Sequence, residues 1–137
     1  MIVFYRGLHC PICKTYLSDL EAKLPEFTSR GVDVIAVSTD SRERAERAKA
    51  EWGLGNVRIG CELTIAGARA WDLYISRAIR EGEPPEFNEP GLFLTKADGT
   101  LFFASRGSAP WARPPFDQML RGIDVAMERK TPARGEA

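Results

Sequence analysis

The predicted elements of the chain are arranged around His9-Cys10-Pro11-Ile12-Cys13-Lys14. It lies between a hydrophobic run, Ile2 to Tyr5, and a segment whose apolar residues recur with helical spacing. Two cysteines three residues apart in the first turn of a helix share one face, close enough to form a disulfide. The unpaired N–H groups and positive dipole end of that turn favour a thiolate, the nucleophile in disulfide exchange. The spacing therefore predicts a redox-active pair at a strand-to-helix junction.

Two other interpretations of the pair stay open, an inert buried pair and half of a zinc site. Zinc usually needs four ligands, and the chain adds only Cys61 and His9. We therefore expect no metal and no cofactor, and we interpret Cys61 as an isolated, half-buried thiol. His9 precedes Cys10 directly, so it either tunes the pKa of that thiol and shuttles its proton or simply points to solvent.

Composition narrows the class of protein. The chain has 137 residues, with 19 basic and 19 acidic side chains that cancel. The interspersed charges argue against binding of nucleic acid or of a membrane surface, and no apolar run is long enough to span a bilayer. We predict one domain over residues 1–130 and a polar tail over 131–137. Three cysteines are too few for a disulfide scaffold, and no signal-peptide pattern is present, so we expect a cytoplasmic location.

The remaining elements alternate in type along the chain. Pro11 is compatible with the first turn of a helix that Pro25 should kink, and Gly31 should end. The pattern then predicts a strand over 32–37 and a helix over 42–52, for which Ser38-Thr39-Asp40-Ser41 supplies N-cap chemistry. It next predicts a short edge strand at 57–59, a helix over 64–79 and an exposed loop at 81–89. A hairpin of strands 91–95 and 100–105 and a last helix from Phe116 complete the chain. The order is β–α–β–α–β–α–β–β–α.

The chain resembles the alkyl hydroperoxide reductase/thiol-specific antioxidant (AhpC/TSA, or redoxin) family, with its peroxiredoxin-like and thioredoxin-like members. Four stretches carry the resemblance: Phe4-Tyr5 through Cys10-Pro11-Ile12-Cys13, Val34 to Ser41, Gly91 to Leu94, and Ala97 to Thr100. The resemblance implies an α/β, thioredoxin-like fold in which a central mixed β-sheet is flanked by helices on both faces. Such folds usually carry a strand or hairpin before the first central strand. Because this chain begins in that strand, we expect that the numbered sequence lacks a leading segment.

The motif departs from the typical peroxiredoxin pattern at three positions. Cys13 aligns with the peroxide-attacking cysteine, whereas Cys10 replaces a threonine and Arg6 replaces a proline. Pro90 stands where those enzymes have an arginine that binds peroxide oxygens. A proline there resembles the cis proline of thioredoxins, so we predict a cis Glu89–Pro90 peptide whose ring packs against the two cysteines.

The resemblance and the residues together leave three functional hypotheses. We favour a thiol–disulfide oxidoreductase with Cys10 nearer solvent as the attacking cysteine and Cys13 as the resolving one. The alternative is a thiol peroxidase, in which Cys13 attacks peroxide, Cys10 resolves, and Arg6, Arg106 or His9 substitutes for the missing donors. A redox-inactive binding module is the third.

The predicted site residues are Cys10, Cys13, Pro90 and His9. The expected partners are a protein disulfide or peroxide substrate and a reducing donor of the thioredoxin type. A homodimer is also compatible with the resemblance.

Overall fold

A computed structural model describes residues 1–135 of the chain, so the last two residues of the predicted tail lie outside the described residues. Eleven elements follow one another in these residues. They are β1 (Ile2–Phe4), α1 (Pro11–Ser29), β2 (Ile35–Val37), α2 (Arg42–Glu51), β3 (Arg58–Gly60), α3 (Ile65–Ala70), β4 (Ile75–Arg77), β5 (Glu86–Asn88), β6 (Gly91–Thr95), β7 (Leu101–Arg106) and α4 (Phe116–Arg129). Within 1–135, no helix is both long and apolar enough to cross a membrane.

Five strands form one mixed sheet in the order β3-β2-β1-β6-β7. The central strand β1 is parallel to β2, with Val3 opposite Ala36, and antiparallel to β6, with Val3 opposite Leu92. The predicted edge position of the 57–59 segment is confirmed by β3, which pairs only with β2 among the described strands. The predicted hairpin is confirmed by β6 and β7, which pair antiparallel.

Alternation along β1 distributes its side chains between two cores, one on each face of the sheet. Val3 and Tyr5 belong to the larger core, which includes apolar residues of α1, α2 and α4. Phe4 points to the other face and packs in a smaller core with Ala68 of α3 and Phe93 of β6. The expected mixed sheet with helices on both faces is therefore confirmed.

The predicted helix over 64–79 was wrong in its second half. α3 ends at Ala70, and Asp72 adopts a left-handed backbone with φ of 56°. The chain then extends into β4, which pairs antiparallel with β5 and forms a separate two-stranded sheet. Leu73 explains the break, because it packs beside Phe4 and Phe93. The segment 81–89 is likewise not an exposed loop throughout, since its last three residues are buried.

The first helix continues through Pro25 to Ser29, so the proline does not divide it. Leu17, Leu20 and Phe27 are fully buried, as their helical spacing predicted. This helix carries the two cysteines at its start, and its packing against the sheet fixes where that start lies.

Candidate active site

The loop between β1 and α1 is held by Asp40, which lies just past the end of β2. The buried Asp40 carboxylate accepts the backbone N–H of Leu8 at 2.7 Å and pairs with Arg44 at 2.9 Å. Gly7 has φ of +125°, and a Cβ added there would lie 2.7 Å from Asp40 Oδ1. Only glycine combines that backbone angle with so close an approach. The sequence thus builds a rigid loop directly before the cysteines.

Cys10 and Cys13 are joined by a disulfide, with their Cα atoms 5.2 Å apart. Cys10 is the N-cap residue of α1, and its Sγ accepts the backbone N–H of Cys13 at 3.2 Å. The sulfur therefore occupies the position where a side-chain acceptor satisfies an unpaired N–H of the first turn. The predicted disulfide at a strand-to-helix junction is confirmed.

The two cysteines do not differ in exposure, contrary to our expectation that Cys10 lies nearer solvent. Cys10 is 1% exposed and Cys13 is 0% exposed. The N-cap position explains this result, because it turns the Cys10 side chain back over the helix end, where it joins the larger core. Access to either sulfur therefore requires movement of a covering group.

Arg113 lies at the candidate site, although we did not expect it there from the sequence. Its Nη2 donates to Cys13 Sγ at 2.8 Å, from the segment between β7 and α4. The guanidinium also lies over the ring of Tyr16, with its central carbon 5.0 Å from the ring centroid. Burial lowers the pKa of Arg113 to about 10, which reflects the cost of holding a cation away from water. No spacing or motif in the sequence relates Arg113 to Cys13.

Two nitrogens of the same guanidinium, Nε and Nη1, are buried and have no hydrogen-bond partner. Arg113 also lines a cavity of about 10 Å³, about the space of one water molecule. Pro90, Tyr16 and Pro114 contribute to the same wall. The small cavity and the two unpartnered nitrogens therefore both belong to the surroundings of Arg113.

The arginines that we expected to substitute for the missing donor are bound elsewhere. Arg6 forms an ion pair with the buried Glu89 at 3.2 Å and lies over the ring of Phe87. Arg106 pairs with Asp72. The cation beside the Cys13 sulfur is therefore Arg113.

His9 lies with its ring 4.6 Å from that of Phe87. Both of its ring nitrogens are buried without a hydrogen-bond partner, so the side chain does not point to solvent. Burial, and then the positive charge of Arg6, lower its pKa. These surroundings therefore disfavour the charged imidazole, and no bond joins His9 to either sulfur among the described contacts.

Pro90 follows a trans peptide, so the predicted cis bond was wrong. The backbone of Glu89 is not free to turn outward as a cis bond would require. Its N–H donates to Tyr74 at 2.8 Å, and its carbonyl accepts the Asn88 side chain at 3.1 Å. Pro90 does lie beside Arg113 in the wall of the small cavity. Packing of its ring on the cysteines stays a prediction.

Residues 1–135 contain no group of three or more His, Cys, Asp or Glu side chains arranged to hold a metal ion. What the site offers is a pair of cysteines joined by a disulfide, a buried arginine on the Cys13 sulfur and a histidine next to Cys10 in sequence. These groups suit redox chemistry in which a disulfide and two thiols interconvert.

Three solved structures illustrate the similarity of the fold. A cysteine mutant of peroxiredoxin 6 from Arenicola marina is 20% identical with a TM-score of 0.75, and the match covers 95% of this chain and 61% of that one. A reduced 2-Cys peroxiredoxin from Plasmodium vivax is 18% identical with a TM-score of 0.71, covering 94% and 77%. A mutant of Xanthomonas campestris peroxiredoxin Q is 25% identical with a TM-score of 0.66, covering 95% and 78%.

The chain thus spans less than two thirds of the length of the Arenicola protein. No curated protein matches the chain significantly. The sequence model of the AhpC/TSA family, in contrast, matches residues 1–104, which is well over half of the chain. Together with the disulfide at the start of α1, this match shows that the chain belongs to the AhpC/TSA family.

Proposed function

We propose that the protein is a thiol–disulfide oxidoreductase whose Cys10–Cys13 pair alternates between a disulfide and two thiols. The observation that carries this proposal is the disulfide across the first turn of α1, with the Cys13 N–H on Cys10 Sγ. The same N–H would stabilise a Cys10 thiolate after reduction.

The proposed reaction moves two electrons from the pair to a disulfide substrate. The Cys10 thiolate attacks one substrate sulfur, which breaks the substrate disulfide, forms a mixed disulfide and releases one substrate thiol. Cys13 then attacks Cys10 Sγ, which forms the internal disulfide and releases the second thiol. The two protons of the dithiol pass to the released thiols. A donor dithiol of the thioredoxin type reverses these steps to restore the reduced pair.

One observation favours a second candidate, a thiol peroxidase in which Cys13 attacks. A hydrogen bond from a charged donor contributes about 1.5–3 kcal/mol, against about 0.5–1.5 kcal/mol for a neutral one. Arg113 on Cys13 Sγ is a charged donor, whereas the donor on Cys10 Sγ is a neutral amide. This contrast supports a thiolate at Cys13, the position that aligns with the peroxide-attacking cysteine.

In this second reaction, the Cys13 thiolate attacks one oxygen of a hydroperoxide and the O–O bond breaks. The leaving oxygen takes a proton and departs as water or an alcohol, while Cys13 becomes a sulfenic acid. Cys10 then condenses with that sulfenic acid, so that a disulfide forms and water leaves. Arg113 has unpartnered nitrogens and lines a small cavity, and both features support binding of a peroxide oxygen near this residue.

Both candidates keep Cys10, Cys13, Pro90 and His9 as the proposed site residues and add Arg113. The proposed partners are a protein disulfide or a peroxide, a reducing donor, and a second copy of the chain in a homodimer. We propose a cytoplasmic location, because reducing compartments keep such a pair available for catalysis. A redox-inactive binding module is disfavoured by the intact pair.

The decisive experiment compares Cys10→Ser and Cys13→Ser in insulin reduction and in hydrogen peroxide consumption, with Cys61→Ser as matched control. The oxidoreductase predicts that either substitution abolishes insulin reduction. The peroxidase predicts that Cys13→Ser abolishes peroxide consumption, while Cys10→Ser retains a single turnover. Wild-type activity in only one assay selects the class, and no activity in either contradicts both proposals.

A further inference from the structure

The two-stranded sheet of β4 and β5 holds a buried carboxylate, that of Glu89, which directly follows β5. Its Oε1 accepts the hydroxyl of Ser76 in β4 at 2.6 Å. Its backbone N–H donates to the carbonyl of Tyr74, just before β4, at 2.8 Å. A buried carboxylate is costly unless it is hydrogen-bonded or paired with a cation. The sheet therefore fixes the position of a charge that neither proposed reaction uses.

Arg6 is the cation paired with Glu89. Its Nε lies 3.2 Å from Glu89 Oε2, and the two side chains are only 17% and 4% exposed. Neither atom has a hydrogen-bond partner, so the contact depends on opposite charge rather than on an aligned hydrogen bond. Arg6 also belongs to the loop between β1 and α1, which leads to Cys10. The ion pair therefore lies at the start of the segment that carries the redox pair.

The ion pair of Arg6 and Glu89 lies near Arg113, the cation on Cys13. Arg113 donates to Cys13 Sγ at 2.8 Å. Pro90, the residue after Glu89, lines the same small cavity as Arg113. Burial is the main cause of the lowered pKa of Arg113, while Arg6 lowers that pKa further and Glu89 raises it. The charges of Arg6 and Glu89 therefore reach the guanidinium on the Cys13 sulfur, and they act on it with opposite signs.

Glu83 is a second carboxylate near Arg6, at 4.0 Å. Its Oε2 accepts two backbone N–H groups of its own loop, so its charge is stabilised mainly within that loop. Other titratable groups lie around the same cluster: Tyr16 beside Arg113, and His9, Asp40 and Arg44 around the loop between β1 and α1. Glu89 differs from Glu83, because it acts on both Arg6 and Arg113.

We propose that Glu89 is a positioning residue of the redox pair, because its carboxylate offsets positive charge that would otherwise stabilise a Cys13 thiolate. After reduction of the disulfide, a carboxylate and a thiolate share the same two cations, Arg6 and Arg113. Without the carboxylate, more positive charge is left for the thiolate, and the thiol loses its proton more readily. Without Arg6, the buried carboxylate is unpaired and disfavours a second anion near it. This role rests on the proposed function, in which the Cys13 sulfur reacts.

The pKa of the Cys13 thiol tests this role. It is read from the ultraviolet absorbance of the thiolate against pH in the Cys10→Ser, Cys61→Ser background. Glu89→Gln, which keeps a hydrogen-bond acceptor in place of the charge, should lower this pKa by about half a unit. Arg6→Met should raise it by a similar amount, and the double variant, which loses both charges, should return close to the value of the background. Local damage to the structure would instead shift both single variants in the same direction, and would overturn the proposal.

Asp124→Asn is the matched control, because it removes the carboxylate of another ion pair, with Arg30 just past the far end of α1. It should leave the Cys13 pKa unchanged. A Cys13 pKa that is unchanged or raised in Glu89→Gln would overturn the role of Glu89. If Arg6→Met does not fold, the double variant decides, because its pKa must lie above that of Glu89→Gln, and equal values would overturn the proposal. The titration needs no turnover, so a failure of insulin reduction and of peroxide consumption contradicts the proposed function alone.

Discussion

The guanidinium of Arg113 lies 2.8 Å from Sγ of Cys13, although 100 positions separate the two residues in sequence. Peroxiredoxins typically carry an arginine at the position that Pro90 occupies in this chain. Here a cation lies beside Cys13 all the same, and it comes from Arg113. It also makes the two cysteines electrostatically different, although they are equally buried.

Replacing Arg113 with methionine should raise the pKa of the Cys13 thiol in the reduced protein. A nearby opposite charge lowers the pKa of an acidic group by about 1–3 units, and the substitution removes that charge. The rise is measured from the ultraviolet absorbance of the thiolate against pH, in a Cys10→Ser, Cys61→Ser background. Arg121→Met serves as control, and an unchanged titration in Arg113→Met would show that the arginine does not stabilise the thiolate.

Replacing Gly7 with alanine should destabilise the loop before the cysteines by about 2 kcal/mol or more. The substitution combines a strained backbone angle with contact against a buried carboxylate, and strained conformations alone cost about 1–3 kcal/mol. Urea unfolding measures the effect. Gly31→Ala is the matched control, because Gly31 also has positive φ but has nothing within 4 Å of the added Cβ. Equal losses in the two variants would mean that Asp40 does not restrict position 7.

Glu21 should stabilise the protein in a pH-dependent way. Burial raises its pKa, but hydrogen bonds from the Val57 and Asn56 N–H groups and the Asn56 side chain outweigh this, so the net pKa lies below its ordinary value of 4.5. A lowered carboxyl pKa gives stability that is present above 4.5 and is lost as pH falls through the folded-state pKa.

Urea midpoints measured from neutral pH down to below pH 4.5 check this expectation. The difference between wild type and Glu21→Gln should shrink as the pH falls through that range. Glu46→Gln, at an exposed position of α2, is the control. A constant difference between wild type and Glu21→Gln would contradict the assignment.

His9 should also make stability depend on pH. Unlike Glu21, it lies in surroundings that disfavour the charged form of its side chain. Burial lowers its pKa from 6.5, with a further contribution from Arg6, so the unfolded chain binds the proton more readily than the folded protein. Stability should therefore fall as pH drops below 6.5. His9→Phe keeps a ring against Phe87 without a titrating group, and should lose this part of the pH dependence in urea unfolding. If the urea midpoint of the wild type does not change between pH 6.5 and pH 4.5, where Glu21 begins to contribute, the expectation for His9 is wrong.

Local sequence signals predicted the parts of the site that depend on local spacing. The Cys10–Cys13 pair at the start of α1 follows from adjacent elements, and so does the hairpin of β6 and β7. The helical spacing of Ile65, Ala68, Trp71 and Ile75 led to a helix that was predicted too long. Ile75 fits the helical period, but an apolar residue at that position fits a strand equally well, and it lies in β4. Packing of Leu73 against Phe4 decided between the two. Arg113 and the trans peptide before Pro90 depend on contacts between distant segments, which no local pattern encodes.

Cys10 and Cys13 should form a reversible redox pair, which redox titration followed by alkylation and mass spectrometry can measure. Folded protein is equilibrated in buffers of varied thiol-to-disulfide ratio, quenched, labelled and digested. We expect both cysteines to become accessible to the label together, in one two-electron transition, while Cys61 is labelled throughout. A pair that resists reduction until the protein unfolds, or a disulfide that includes Cys61, would contradict it.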